Sequence, residues 1–204
     1  MINYLKFIDL VITFLHNQSP SNEPIDRLHF DPLINIYPSA KATFYLPSDS
    51  HGIGGMCKER VWATSSWRSR GTSRYDMVLL KLNNSEHGFR ALSIACLRLL
   101  FSLYHIDTLH LCALVDDFEL VGAQPNKHTG MWRVKHSIDP YICCQVSHII
   151  SMHNILCAAH LIPVFHGTDL IPNNAIPETM LDSMCHGEFY VNKYVDHHAF
   201  EILF

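Results

Sequence analysis

The densest group of chemically active side chains lies between residues 58 and 75, in the sequence KERVWATSSWRSRGTSRY. Five basic residues stand there against one acid, Glu59, in a chain whose formal charge is -4. Basic side chains neutralise phosphates and release counterions, and aromatic rings stack on unpaired bases. The segment therefore predicts a nucleic-acid contact surface. Its residues are Lys58, Arg60, Trp62, Trp67, Arg68, Arg70, Arg74 and Tyr75.

The same segment has a purely structural interpretation. It is then a loop whose tryptophans anchor to the core, while the arginines are solvated or paired with the acidic remainder of the chain. Neither a helix-turn-helix nor a zinc-finger spacing accompanies this segment. The pattern therefore does not predict recognition of a particular DNA sequence. If the surface binds nucleic acid, we expect binding to unrelated DNA sequences that weakens steeply with salt.

Histidine is the second candidate chemistry, with 15 in the chain. A structural zinc site needs two pairs of ligands at suitable spacing. The possible ligand groupings are Cys157 with His160, Cys185 with His186, and His197 with His198. Of all the pairs, His148 with His153 and Cys157 with His160 come near the required spacing. They do not complete a four-ligand set with a known spacing, so the sequence predicts no metal site and no cofactor.

Three further groupings suggest catalysis only superficially. Asp196-His197-His198 matches the DHH motif of metal-dependent phosphoesterases, but the parallel α/β framework that the motif requires is missing. Asp116, Asp117 and Glu119 are interpreted as a solvated strand end. Cys143 and Cys144 lie beside His148, yet a strand there would bury one thiol, and buried thiols are inert. We therefore predict that the chain has no catalytic residues and is not an enzyme.

The elements that must position these residues follow from hydrophobic periodicity. Leu5, Ile8, Val11, Ile12 and Leu15 form one helical stripe, which predicts a helix over residues 5–17. From residue 40 onward the period shifts towards two, which is typical of strands. The predicted strands are AKATFYL, SRYDMVLLKL, LSIACLRLLFSLY, TLHLCALVDDFEL, MWRVK, a segment around YICCQVSHII, and HLIPVF, with a helical turn at SMHNILCAAH.

These strands predict a mainly β (α+β) fold, a small antiparallel barrel or sandwich with helical N- and C-terminal segments. Ile106-Asp107 is the short polar step of a predicted hairpin. The domain limits are 1–39 for a helix and linker, 40–166 for the β domain, and 167–204 for a loop and short helices. The expected core residues are Phe44, Leu79, Leu99, Phe101, Leu114, Phe118, Trp132, Val134 and Val164.

Composition limits the class of protein. Apolar residues make up 48% and charged residues 17% of the chain, which is too apolar for a disordered protein. Seven cysteines without a CxxC pair indicate free thiols in a reducing compartment. The longest apolar run, 91–103, is short and contains Arg98, so we predict neither a membrane span nor contact with a membrane. The expected location is intracellular, and nuclear for a chain that contacts DNA.

Four stretches of the chain resemble one known family. They are FYLPSDSHGIGGMCKERVWATSSWRSRGTSRYDMVLL, CALVDDFELVGAQPNKHTGMWRVK, AAHLIPVF and FYVNKYVDHHAFEI. In this order they look like the C-terminal region of Plavaka-type transposon proteins, which are CACTA-like mobile elements of basidiomycete fungi. Proteins of that family are longer and carry an RNase H-like transposase region upstream, and they are more basic where this chain has Met56-Cys57-Lys58. The resemblance thus implies an accessory segment without transposition activity.

Two functions remain as expectations. In the first, an accessory domain of a transposable-element protein contacts DNA through the basic and aromatic segment. In the second, the domain binds other protein chains through strand edges or through the aromatic tail, which contains Phe189, Tyr190, Tyr194 and Phe200. A decayed transposon remnant with no present activity is the third interpretation. The sequence indicates no small-molecule substrate.

Overall fold

The computed structural model describes residues 4–18, 25, 30, 32–44, 57–67, 71–82, 88–141, 143–164 and 187–203. Within these ranges lie two α-helices, α1 (Tyr4–Gln18) and α2 (His197–Ile202). The strands are β1 (Ile34–Tyr37), β2 (Ser39–Phe44), β3 (Cys57–Trp67), β4 (Thr72–Tyr75), β5 (Met77–Lys81), β6 (Leu92–His105), β7 (Thr108–Leu120), β8 (Arg133–His136), β9 (Ser147–Ser151), β10 (Ile155–Ala158), β11 (Leu161–Pro163) and β12 (Glu188–Val191). Short 3-10 turns, Gly88–Ala91 and Met152–Asn154, precede β6 and β10.

The long hairpin β6–β7 is the central element of the fold. Its register runs from Ala95 opposite Asp117 to His105 opposite Thr108, with a bulge between Leu97 and Leu99. Ile106 and Asp107 form the turn with φ values of 46° and 57°. Two central residues with positive φ are the signature of a tight turn that matches the twist of both strands. The predicted hairpin is confirmed.

The main sheet curls into an antiparallel half-barrel, in the order β10-β5-β6-β7-β8-β12-β11. The short segment 155–163 supplies the strands at both ends of this order. Its first half, β10, pairs with β5, and its second half, β11, pairs with β12. The predicted mainly β class is confirmed. Pro163 lies in β11, at the end of the strand order, as expected for a proline in a sheet.

Inside the curl lies the barrel core, where side chains from six strands meet α2. Its buried residues are Leu79, Phe89, Ile94, Cys96, Phe118, Val134, Cys157, Phe189, Val191, Ala199 and Leu203. Leu79, Phe118 and Val134 confirm their predicted burial here. Leu99, Trp132 and Val164 are only half-buried, and the side chain of Phe44 lies outside the described residues.

Helix α1 covers the face of the β6–β7 hairpin that lines the barrel core, but beyond the bulge. Val11, Phe14 and Leu15 are buried against Phe101, Leu103, Cys112, Leu114 and Ile149. The ring of Phe7 lies edge-on to that of Phe101, with 5.4 Å between centroids. The predicted helix is therefore confirmed, except that Leu5 is 60% exposed rather than part of the buried stripe.

A separate three-stranded sheet, in the order β2-β3-β4, covers the opposite face of the hairpin. Val61 and Ala63 of β3 pack there on Val78 and Leu80 of β5 and on the centre of β6 and β7. Residues 58–67 and 72–75 are strands, so the interpretation of this segment as a loop is wrong for those residues. Apolar side chains alternate with polar ones along β3, and that alternation buries one face only.

Three further expectations need correction. The predicted strand SRYDMVLLKL is two strands, β4 and β5, which separate at Asp76. Residues 155–158 form strand β10 instead of a helical turn, since they add to the edge of β5. In the expected C-terminal helical segment, residues 188–191 form strand β12, which lies between β8 and β11. All three corrected assignments depend on strand pairing between segments that are distant in the sequence.

Candidate nucleic-acid interface

The orientation of β3 decides which residues of the predicted surface face outward. Val61 and Ala63 are 2% and 4% exposed, so they point towards the main sheet. Side chains alternate along a strand, and Lys58, Arg60 and Trp62 therefore lie on the outer face. Glu59 lies on the inner side, where its carboxylate accepts a hydrogen bond of 2.8 Å from the backbone N–H of Ala158. The one acid of the segment is thereby removed from its basic face.

The neighbouring strands extend this outer face. Lys41 of β2 lies directly opposite Arg60, and Arg74 of β4 lies opposite Thr64. We call this surface the cationic face; it consists of Lys41, Lys58, Arg60, Trp62, Trp67 and Arg74. Lys41 is absent from the sequence prediction, because it lies seventeen positions before Lys58 in the chain. The alternation of Ser39, Lys41 and Thr43 with two alanines is the signal that places it on a polar strand face.

The aromatic residues of the cationic face form one cluster with two arginines. The rings of Trp62 and Trp67 are edge-to-face, with centroids 6.3 Å apart. The guanidinium of Arg74 lies 4.7 Å from the centroid of Trp67 and 5.7 Å from that of Trp62. Arg60 lies 5.5 Å from the centroid of Trp62. These distances are within the range of cation–π attraction.

Asp76 holds this cluster in place from the break between β4 and β5. Its carboxylate accepts hydrogen bonds from Arg74, at 2.8 Å from Nε and 3.2 Å from Nη2. The backbone N–H of Trp62 donates to the same carboxylate at 3.0 Å. A bidentate pair of this kind fixes the plane of the guanidinium. Arg74 is therefore neutralised and positions the rings, whereas Lys41, Lys58 and Arg60 carry the net charge.

Three residues of the predicted surface do not join the described face. Tyr75 is on the opposite side of β4, where it packs against both the barrel core and the cluster beneath β3. The guanidinium of Arg98 lies 4.8 Å from the centroid of the Tyr75 ring. Because Arg74 points outward, Tyr75, the next residue along the strand, must point inward. Arg68 and Arg70 lie outside the described residues.

Two residues of the DHH candidate, Asp196 and His197, have structural partners in α2. Asp196 is the N-cap of α2, and its carboxylate accepts a 2.7 Å hydrogen bond from the backbone N–H of Ala199. His197 lies one turn from Glu201, at 3.1 Å. Among the described residues no three His, Cys, Asp or Glu side chains group as metal ligands would. The pair Cys185 and His186 lies outside the described residues.

The acidic end of β7 is also engaged in ion pairs. Asp116 is buried and lies 3.1 Å from Nε of Arg98, and the hydroxyl of Ser147 donates to the same carboxylate. Asp117 lies 2.8 Å from His148. Glu119 lies 2.9 Å from Lys135. The expected solvated strand end is therefore wrong for Asp116, which the register of β9 buries.

The cysteines divide into two groups. Burial raises the pKa of Cys96 to about 11 and that of Cys112 and Cys157 to about 12, so these thiols stay protonated at neutral pH. Cys143 and Cys144, in contrast, are exposed. Cys143 has a φ of 49° in a turn, where its N–H donates to the carbonyl of Asp139. The expectation that a strand buries either Cys143 or Cys144 is wrong, because the chain turns there and both thiols are exposed.

Comparisons of this chain with protein families, curated proteins and solved structures find no match. Within the ranges that the structure describes, no helix combines the length and the apolar character needed to cross a bilayer. The geometry of the cationic face is therefore the main ground for a functional assignment.

Proposed function

We propose that this chain is a non-catalytic domain that contacts nucleic acid through the cationic face, as an accessory part of a transposon-derived protein. The observation that supports it is the placement of Lys41 directly opposite Arg60, with Lys58 two residues along the same face. All three side chains are exposed. Like charges at directly opposed positions destabilise a sheet. A bound polyanion would remove this repulsion and would release counterions.

The aromatic cluster favours a single-stranded target. Trp62 and Trp67 are half-exposed on a sheet face beside three cations, an arrangement that combines stacking with phosphate contact. Stacking on a base contributes about 1–3 kcal/mol per base and tolerates any sequence. We therefore expect unspecific binding of single-stranded DNA or RNA, with a logarithmic salt slope of about -2 for three neutralised phosphates.

The test compares two double variants with the same change of charge. Lys58→Glu/Arg60→Glu reverses two cations of the cationic face, and Lys81→Glu/Lys127→Glu reverses two exposed lysines elsewhere. Fluorescence anisotropy of a labelled oligo-dT measures the dissociation constant at several salt concentrations. We expect the first variant to lose at least tenfold in affinity and most of the salt slope.

The Lys81→Glu/Lys127→Glu control is expected to bind within about threefold of the original chain, because diffuse charge acts weakly at physiological salt. Equal losses in both variants would show that only net charge matters. Unchanged binding in the Lys58→Glu/Arg60→Glu variant would exclude the cationic face as the contact surface.

A second candidate function, protein assembly, is favoured by an apolar patch at the end of the β6–β7 hairpin. Tyr104 and Leu109 lie directly opposite each other and are 64% and 46% exposed, and Ile106 in the turn is 71% exposed. Exposed apolar patches of this kind mark interaction sites. The aromatic tail is a poorer docking site than the sequence suggests, because Phe189 is buried in the barrel core.

The assembly function is tested with Tyr104→Ser/Leu109→Ser, which removes the apolar side chains but keeps the strands. If the patch mediates self-association, analytical ultracentrifugation should show an oligomer for the original chain and a monomer for this variant. A monomer in both cases would count against self-association through this patch. Ile36→Ser, a substitution of an equally exposed side chain in β1, serves as the control.

The resemblance to Plavaka-type transposon proteins supports a DNA-related role over other polyanion binding. We accordingly propose an intracellular, nuclear site of action. A decayed remnant without activity is the remaining alternative. It would be supported if neither the oligonucleotide nor the assembly experiment detects binding by the chain.

A further inference from the structure

A cavity of about 360 Å³ lies between the three-stranded sheet and the main sheet. Ala40 and Ala42 of β2 form one wall, and Leu100 and Leu111 of the β6–β7 hairpin form the other. Val61 of β3 also lines the cavity. This volume is in the range of about 300–1,000 Å³ that ligand pockets occupy. Apolar walls of this kind suit a hydrocarbon chain.

The polar groups that line the cavity are few and have distinct positions. The hydroxyl of Tyr37 hydrogen-bonds with that of Ser102 at 3.1 Å. The hydroxyl of Ser39 accepts a hydrogen bond of 3.3 Å from Arg60. Both hydroxyls therefore have protein partners already. They add to the rigidity of the rim rather than to the charge of the cavity.

The cavity-lining side chains that can be charged near neutral pH are all basic among the described residues. Lys41 and His153 are the lining side chains that can carry positive charge, and both are exposed. No aspartate or glutamate lines the cavity among the described residues. Within the described part of the chain, the amine of Lys41 forms no ion pair. An anion at the mouth would thus meet attraction without an opposing carboxylate.

We propose that this cavity binds a medium-chain aliphatic carboxylate, with the hydrocarbon chain between the two sheets and the carboxylate at Lys41. The volume corresponds to about twelve groups of the size of a water molecule, which fits a chain of about eight to ten carbons. A neutral or cationic amphiphile would place the same chain on the same walls but would forgo the ion pair. Lys41 lies on the edge strand β2 and is shared with the cationic face, whereas the rings of Trp62 and Trp67 do not line the cavity. Binding of the hydrocarbon chain does not depend on the proposed function.

The experiment is isothermal titration calorimetry with octanoate as the probe, compared with hexanoate, octylammonium and 1-octanol. Each buried methylene should tighten binding about fourfold, so octanoate should bind about 15-fold more tightly than hexanoate. Octanoate should also bind more tightly than 1-octanol, and octylammonium should bind most weakly. Equal binding of octanoate and octylammonium would overturn the proposal. So would the absence of heat with octanoate at two well-separated temperatures, because hydrophobic binding has an enthalpy that is near zero at one temperature only.

Variants distinguish the site that binds the hydrocarbon chain of the ligand from the site that binds its carboxylate. Lys41→Met keeps the aliphatic stem and should weaken octanoate about fivefold without affecting 1-octanol, as expected for loss of one exposed ion pair. Ala42→Trp should fill the cavity and abolish binding of both probes. Leu111→Trp, at the partly exposed rim, serves the same purpose if Ala42→Trp fails to fold. The control is Lys81→Met on β5, which should leave binding unchanged. If octanoate still binds to both tryptophan variants, the cavity is not the site.

Discussion

At the residue scale, Asp76 is the side chain on which the cationic face depends most. It accepts hydrogen bonds from the backbone of β3 and from Arg74, whose guanidinium lies near both tryptophan rings. Hydrogen bonds to charged groups contribute about 1.5–3 kcal/mol each. A sequence reading of Asp76 as one more acid within a strand misses this role, because its partners, Trp62 and Arg74, lie on two different strands.

We expect Asp76→Asn to lower the free energy of unfolding by about 2 kcal/mol, since the amide cannot replace a bidentate carboxylate. Urea denaturation measures the loss, and near-ultraviolet circular dichroism reports the looser packing of Trp62 and Trp67. Glu119→Gln is the control, because its pair with Lys135 is half-exposed and such pairs contribute about 0–1 kcal/mol. Equal losses in the two variants would contradict the role of Asp76.

The buried cysteines predict a dependence of stability on alkaline pH. Desolvation raises the folded pKa of Cys112 and of Cys157 from 9.0 to about 12. Below pH 9 both states keep the thiol proton, and above it the unfolded state releases the proton first. The free energy of unfolding should therefore fall between pH 9 and the folded pKa, by up to about 1.4 kcal/mol per pH unit for each thiol.

The measurement is the urea midpoint from pH 7 to 11. Cys112→Ala should show a shallower decline above pH 9 than the original chain, even though the substitution lowers stability at all pH values. Cys144→Ala removes an exposed thiol and should leave the slope unchanged. The same decline in all three chains would mean that other groups cause it.

At the element scale, the turn of the β6–β7 hairpin carries backbone strain. Ile106 has a φ of 46°, and a β-branched residue is a poor fit to that region. Its side chain is 71% exposed, so little packing offsets the cost. The sequence predicts this hairpin correctly because two apolar strands flank a two-residue step, and both signals are local. It does not predict that an isoleucine adopts the left-handed conformation.

We expect Ile106→Asn to raise the free energy of unfolding by about 1 kcal/mol, because asparagine tolerates positive φ and suits this turn type. Urea denaturation with an unchanged m-value would measure it. Ile36→Asn is the control: Ile36 is similarly exposed but lies in a strand, where asparagine is unfavourable. A gain in the control, or a loss in Ile106→Asn, would contradict the strain.

At the scale of the whole molecule, the hairpin β6–β7 joins all the packed layers. Phe101 is buried beneath α1, while the same strand lines the barrel core through Ile94 and Cys96 and supports β3 through Leu97. Layers that share one strand should unfold together. We expect a single transition in which tryptophan fluorescence and far-ultraviolet circular dichroism coincide.

Phe101→Ala should lower the free energy of unfolding by about 3–5 kcal/mol, since it removes a fully buried ring and leaves a cavity. The transition should stay single, although its midpoint falls. Tyr104→Ala, on the exposed face of the same strand, is the control and should cost much less. Separate transitions in the two signals would show that α1 and its contacts form an independent unit.

The sequence by itself determines the class of fold, the helix α1, the hairpin β6–β7 and the concentration of basic and aromatic residues in one segment. These depend on periodicity and spacing, which short-range physics sets. Only the tertiary structure decides that β3 is a strand, that Tyr75 faces inward, and that Lys41 joins the cationic face. It also decides that residues 188–191 complete the sheet as β12. Strand pairing joins segments that are far apart in sequence, and the alternation of side chains then assigns each residue to one face.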